Sequence, residues 1–313
     1  MLFRMLAILC LTAGVLFHTA FTPTGGCQTS QNISPPGVLI VEFGITQEGL
    51  ATSAWREAIH ARHPEERLSN IAVTPRRLTP DESLWADLIR QKALTWPALI
   101  DSLRMPFPGI TPPDTLIILL GNQGGEDAFL SPALKICFDL NKLHRYYGPA
   151  SDEINHDRID RFFAHELTHV LHKAWRKKRG LELASPFEYA LWECLTEGLG
   201  NYRSLSGKWL RGKGELSPHA QETLQRLQPI FVERLSALQH AGETEAETLL
   251  TGLSSGAFDQ KWGALTVALW LAQEAKGDDR NLRKWVEAGP TGVLVLARKY
   301  LPEELKNQLP RTQ

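Results

Sequence analysis

The sequence predicts an α+β fold, a small mixed sheet packed beside a helical half. Three observations lead there. Runs that read as strands fall in the first half, at Val38–Phe43, 115–120 and 134–140, and from residue 157 onward the spacing is mostly helical. Strands ahead of helices, rather than alternating with them, argue for α+β. The chain has 313 residues, 43% hydrophobic and 22% charged, so it can bury a full core without needing disulfides or metal to fold.

Each element has its own warrant. In residues 1–27 the only charged side chain is Arg4, and 5–17 is an uncharged, mostly apolar stretch too short to span a bilayer. A basic start, a short apolar run and small residues beyond it read as a secretory signal. Residues 28–37, with Ser34-Pro35-Pro36-Gly37, read as a flexible tether. Val38–Phe43 is then a strand, 46–62 a helix, and 80–104 a second helix ended by the four prolines of 106–113. Residues 115–120 (TLIILL) form a continuous apolar run, a buried strand, whereas 134–140 (LKICFDL) alternates as an exposed or edge strand would. The loop Gly121-Asn122-Gln123-Gly124-Gly125 lacks both the P-loop Lys-Ser/Thr and a spaced GxGxxG, so it reads as connection. Helices follow at 157–178, 186–205, 218–240, 259–276 and 293–300.

Charge and cysteine exclude several functions. With 34 Lys+Arg against 35 Asp+Glu, nothing suggests a nucleic-acid surface, and the run Arg176-Lys177-Lys178-Arg179 reads as a solvated helix end. No CxxC occurs, which excludes a cysteine zinc knuckle or redox pair. Cys10 falls in the apolar leader and Cys27 at its end. An oxidising compartment would permit a bridge between Cys137 and Cys194, although a buried thiol is the commoner state.

The informative stretch is Ala164-His165-Glu166-Leu167-Thr168-His169-Val170, an HExxH motif. Positions four apart on a helix project from one face, so His165 and His169 can grip one metal. Glu166 beside them can take a proton from water attacking a carbonyl and return it to the leaving group. Ile159, Phe162, Phe163, Leu167, Val170 and Leu171 supply an apolar face to bury this helix. A third protein ligand is needed, normally a His or an acid. The metzincin pattern would place glycine at 172 and histidine at 175, where this chain has His172 and Trp175, so that class is excluded. The next helix carries Glu193 and Glu197, four apart on one face. His172 reads as a neighbour of the site or a surface residue, Glu193 as a solvated or histidine-orienting acid, and Cys194, Trp262, Trp270 and 265–271 as core.

Here the chain resembles the gluzincin metallopeptidases, in which a glutamate on a following antiparallel helix completes the HExxH zinc site. Thr196-Glu197-Gly198-Leu199-Gly200-Asn201-Tyr202 is similar to the Asn-Glu-Gly-Phe-Ala-x-Tyr segment of the gluzincin aminopeptidases. The resemblance covers about residues 115–205 and implies a zincin-like fold, zinc on His165, His169 and Glu197, and Glu166 as the catalytic carboxylate. The thermolysin pattern would instead make Glu193 the ligand. The family's free-amine motif Gly-x-Met-Glu-Asn is absent. In such enzymes the strand ahead of the motif helix binds the substrate backbone, a role that would fall to 134–140. A Tyr or His also stabilises the oxyanion, with Tyr202, Tyr189, His219 and His240 as candidates here.

Residues 38–210 would then form the catalytic domain, and the helical region 211–313 would complete its cleft. The expected activity is zinc-dependent hydrolysis of peptide or protein substrates. The same residues would serve a non-peptide amide or ester equally well. The alternative is a catalytically inactive zincin-fold binding lipoprotein at the surface or in the periplasm. Gly25-Gly26-Cys27 resembles the lipobox of bacterial lipoproteins, which implies export and membrane attachment through a lipid on Cys27; ordinary cleavage would give a secreted or periplasmic product.

Overall fold

The computed structural model describes residues 38–64 and 74–310. The expected signal, its lipobox cysteine and the tether lie outside these residues. The sheet consists of β1 (Val38–Phe43), β2 (Thr115–Gly121), β3 (Ala128–Leu130) and β4 (Ile136–Asp139), in the order β1-β2-β4-β3. β1 and β4 both run parallel to β2, and β3 pairs antiparallel with β4. Twelve α-helices accompany it among the described residues, so the fold is α+β.

The strand periodicity sorts side chains onto two faces. Leu116, Ile118 and Leu120 of β2 and Ile136 and Phe138 of β4 enter the main core. Leu119 and Cys137 point the other way, into a smaller core with Phe129 and with Trp55, Ala58 and Ile59 of α1 (Ser53–Arg62). Gly121 makes room for this arrangement, because a Cβ there would lie 2.2 Å from Trp55 Cε2. The indole N–H donates to Asn122 O at 2.9 Å, which ties α1 to the end of β2.

β4 corrects the edge-strand expectation for 134–140. It is an inner strand, with all four residues buried, and the edge is β3, which the sequence reading passed over. The polar position that suggested alternation, Asp139, is satisfied internally: its carboxylate accepts from the backbone N–H of Asn141 and Lys142 (3.0 and 3.1 Å) and of Gly124 and Gly125. It thereby caps α4 (Leu140–Tyr147), a helix that starts without any connecting residue.

The helix expected over 80–104 is two, α2 (Pro80–Ala93) and α3 (Trp96–Leu103). Pro97 has no N–H to donate to Ala93, so the first helix cannot continue through it. At the start of α2, Thr79 Oγ1 accepts from Glu82 N (3.3 Å) and Glu82 accepts from Thr79 N (2.9 Å), a reciprocal cap. Trp96 stacks on Phe163 at 4.1 Å and donates to Asp160 at 2.8 Å, which seats α3 against α5 (Glu153–Arg179).

α5 ends where Gly180 adopts a left-handed conformation (φ 59°) and Leu181 N–H reaches back to Arg176 O. Its last turn carries Arg176 to Arg179, cations that complement the C-terminal end of the helix dipole. α6 (Pro186–Ser204) begins with Ser185 capping Glu188 N and proline in the first turn. α7 (Pro218–Leu238) repeats that Ser-Pro start, and α8 (Glu243–Leu250), α9 (Ala264–Ala275), α10 (Arg283–Ala288), α11 (Pro290–Tyr300) and α12 (Glu303–Lys306) follow. α6 packs against α5, α9 and α11, so helices from beyond residue 210 brace it directly. Trp262, Trp270 and the 265–271 stripe are core, as expected. Cys137 and Cys194 are buried free thiols. No helix among the described residues is long and apolar enough to cross a membrane.

Candidate metal centre

On α5 the buried side chains Phe163, Leu167, Val170 and Leu171 anchor the helix in the core, and this aims the face bearing His165 and His169 at α6. On α6, positions 193, 197, 200 and 204 share one face by their three- and four-residue spacing. The two faces meet. His165 Nε2 and His169 Nε2 lie 2.9 Å apart, His169 Nε2 is 3.4 Å from Glu197 Oε1, and His165 Nε2 is 3.8 Å from Glu197 Oε2. Among the described residues these three alone bring potential metal-ligand atoms together in this way.

These distances suit one small cation. Tetrahedral zinc with ligands at about 2.1 Å requires ligand atoms roughly 3.4 Å apart, the middle of the range found here. Two imidazole nitrogens and one carboxylate are also among zinc's usual donors. Burial is the first cause holding both histidines down to a pKa of about 3, and for His165 the neighbouring His169 adds to it. They are therefore neutral near pH 7, the form that ligates. Ser204 selects the tautomer of His165. Its hydroxyl lies 3.5 Å from Gly200 O, to which it donates, and 3.1 Å from His165 Nδ1, from which it accepts, leaving the Nε2 lone pair facing the cluster. Gly200 leaves room for the rings, since a Cβ there would lie 2.9 Å from His165 Nε2.

Glu166, next to His165 on α5, is buried, and burial first, then the charge of Glu197, pushes its pKa up to about 8. Arg62, at the end of α1, acts against that rise and is held by Glu126 through two hydrogen bonds of 2.9 and 2.8 Å.

The other candidates separate by geometry. Glu193 stands apart from the histidines and accepts from Ser254 Oγ at 3.1 Å; burial followed by Glu197's charge raises it to about 7. His172 is fully buried among Phe107, Trp175 and Trp192, with Nδ1 3.1 Å from Thr196 Oγ1, and belongs to the packing between α5 and α6. Tyr202 donates to Asp279 at 2.9 Å. His219 lies against Trp209, and His240 is exposed past the end of α7. Tyr189, one turn before Glu193, is pushed up to about 12, first by that acid's charge and then by burial. Glu197 adds to that rise.

Sequence reasoning missed Ser204, Gly200 and Arg62. The first two carried a signal, lying seven and three residues past Glu197 on the same helical face. Arg62 carried none, being brought in from α1 by the fold. Set against protein-family models, curated proteins and solved structures, the chain gives no match.

Proposed function

We propose that this chain is a zinc-dependent peptidase with a zincin-like, gluzincin-type catalytic body, in which His165, His169 and Glu197 hold zinc and Glu166 moves the proton. The observation that carries this reading is the convergence of the three donor atoms at 2.9, 3.4 and 3.8 Å. When bound at such a site, zinc supplies Lewis acidity to a substrate carbonyl and brings the pKa of water down to about 7.

The chain's own residues do the rest. His165 and His169 bind as neutral imidazoles, and Ser204 fixes the orientation of the first. Glu166 accepts the proton of the attacking water and delivers it to the departing amine; the role needs its carboxylate form, which the positive charge of a bound zinc would favour against the burial that raises its pKa. α9 and α11, from the 211–313 region, brace α6 and so keep Glu197 in register with α5. The substrate is a peptide or protein met outside the cytoplasm, with the leader directing export and Cys27 serving as the lipid attachment point.

Glu166→Gln tests the reading. The variant keeps its zinc and loses peptide hydrolysis by about 10²–10⁴-fold. Undiminished turnover by a zinc-loaded Glu166→Gln chain sinks the role assigned to Glu166. A zinc-loaded wild type that cleaves no peptide favours the non-catalytic binding protein.

A further inference from the structure

Apart from the metal cluster, α7, α9 and the end of α11 border a cavity of about 400 Å³. It shares no residue with the cluster. One wall is a stripe of α7, where Gln221, Leu224, Gln225 and Gln228 recur at spacings of three and four and so lie on one face. Gln273 of α9 and Tyr300 at the end of α11 line it as well. The turn 211–216 supplies the remaining wall. Arg211 N–H closes it by donating to Glu215 O at 2.9 Å, and Gly214 (φ 82°) lets it settle on α9, since a Cβ there would lie 2.5 Å from Ala272 O.

Three of the glutamines are held in one sense. Gln221 Nε2 donates to Leu216 O at 3.1 Å, Gln228 Nε2 to Tyr300 O at 3.4 Å and Gln273 Nε2 to Leu269 O at 3.4 Å. A backbone carbonyl can only accept, so each bond fixes which end of the amide is nitrogen and leaves Oε1 as the free atom. None of these three oxygens has a hydrogen-bond partner among the described residues. Gln228 is the sharpest case. It lines the cavity yet is only 5% exposed, so its acceptor is neither paired within the protein nor out in bulk water. Pro229, the next residue inside α7, has no N–H to give Gln225 O, and that carbonyl too is without its helical partner.

The lining selects a class of ligand. Among the described residues no Lys, Arg or His borders the cavity, which leaves nothing to balance a phosphate or a carboxylate. Its one acid, Glu215, is exposed, and a single carboxylate is too little for a desolvated organic cation or a metal ion. Neutral amides with free acceptors, set beside the buried Leu216 and Leu224, suit a neutral molecule that brings hydroxyl donors and also has apolar C–H faces. Saccharides have both. The volume falls in the lower part of the range for small-molecule sites, about 300–1,000 Å³.

We propose that this cavity is a saccharide-binding site, in which Oε1 of Gln221, Gln228 and Gln273 accept from sugar hydroxyls and Leu224 packs against a C–H face. The inference stands independently of the zinc-peptidase reading. The sugar can be a free mono- or disaccharide or a unit of a polysaccharide, and both present the same hydroxyls to the amides.

The test is a binding measurement on the full-length chain. Glucose, galactose, N-acetylglucosamine, cellobiose and chitobiose are titrated by saturation-transfer NMR and calorimetry, and insoluble cellulose and chitin are tested by co-sedimentation. At least one of these probes should bind saturably. Binding of a soluble sugar identifies the free saccharide as sufficient, and retention on a polymer without it identifies the polysaccharide as the source. Gln228→Met and Gln273→Met keep the length of the side chain while removing its amide, and each should weaken binding about tenfold. Gln225→Trp, at an exposed position on the same wall, should fill the cavity and abolish binding while the urea midpoint stays near that of the wild type, which separates loss of the site from loss of the fold. Glu233→Ala, an exposed change elsewhere on α7, should leave binding intact. No saturable binding of any probe, binding that survives Gln225→Trp, or binding indifferent to both methionine variants overturns the inference.

Discussion

Gly198→Ala adds one methyl group where α6 meets α9, on the residue immediately after Glu197. The added Cβ would lie 2.6 Å from Val267 Cγ1 and 2.9 Å from Val267 Cβ, with Ala268 N at 3.5 Å. Carbon atoms pack best at about 3.5–4.0 Å, so the helices must separate by roughly 1 Å or Val267 must leave its place. Val267 is fully buried. Overpacking of that kind costs about 1–3 kcal/mol, against a gain of about 1 kcal/mol from replacing glycine inside a helix. The expected net effect is a destabilisation of up to about 2 kcal/mol. Urea unfolding followed by tryptophan fluorescence should show a lower midpoint with an unchanged slope. Val267→Ala alone should also destabilise, by leaving a cavity. Together the two substitutions should cost less than the sum of their separate effects, with a coupling of about 1 kcal/mol, because each relieves the other. Strict additivity, or a Gly198→Ala chain about 1 kcal/mol more stable than the parent, as at an uncrowded helical glycine, would refute the packing described for α6 and α9.

Further outcomes follow from the site. Ser204→Ala removes the hydrogen bond that orients His165 and should weaken zinc binding about 10–100-fold in competition with a chromophoric chelator, with little change in unfolding midpoint; unchanged affinity would count against the tautomer assignment. The zinc-free chain should be most stable at about pH 6.5. Below that, His165, His169 and His172, held to about 3 when folded against 6.5 when unfolded, contribute stability that is lost as pH falls toward 3. Above it, Glu166, held at about 8 against 4.5, contributes stability that is full below pH 4.5 and is lost as pH rises through 8. A urea midpoint that rises steadily from pH 5 to 8 would contradict those directions.

Much of the site could be read from spacing alone, because an α-helix turns sequence intervals of three and four into shared faces. That is why His165 and His169 could be named in advance, with Glu193 and Glu197 as the alternatives for the third position, and why Ser204 could have been. The choice between Glu193 and Glu197 could not be made that way, since both lie on the same face of α6; the meeting of α6 with α5 brings Glu197 to the histidines and leaves Glu193 with Ser254. β3 was missed because three residues after a glycine-rich loop are too few to show a period, and β4 was misread because Asp139, a polar residue in a buried strand, is satisfied by four backbone N–H groups invisible in the sequence. Arg62 and Ser254 come from distant segments, and no local pattern links them to the motif.

The central claim is that His165, His169 and Glu197 form one zinc site. Metal content of the purified full-length chain after zinc supplementation, compared with Glu197→Ala and Glu193→Ala, tests it most directly. The account predicts about one zinc per chain in the wild type and in Glu193→Ala, and a near-complete loss in Glu197→Ala. A wild type without zinc, or zinc lost with Glu193→Ala and kept with Glu197→Ala, would contradict it.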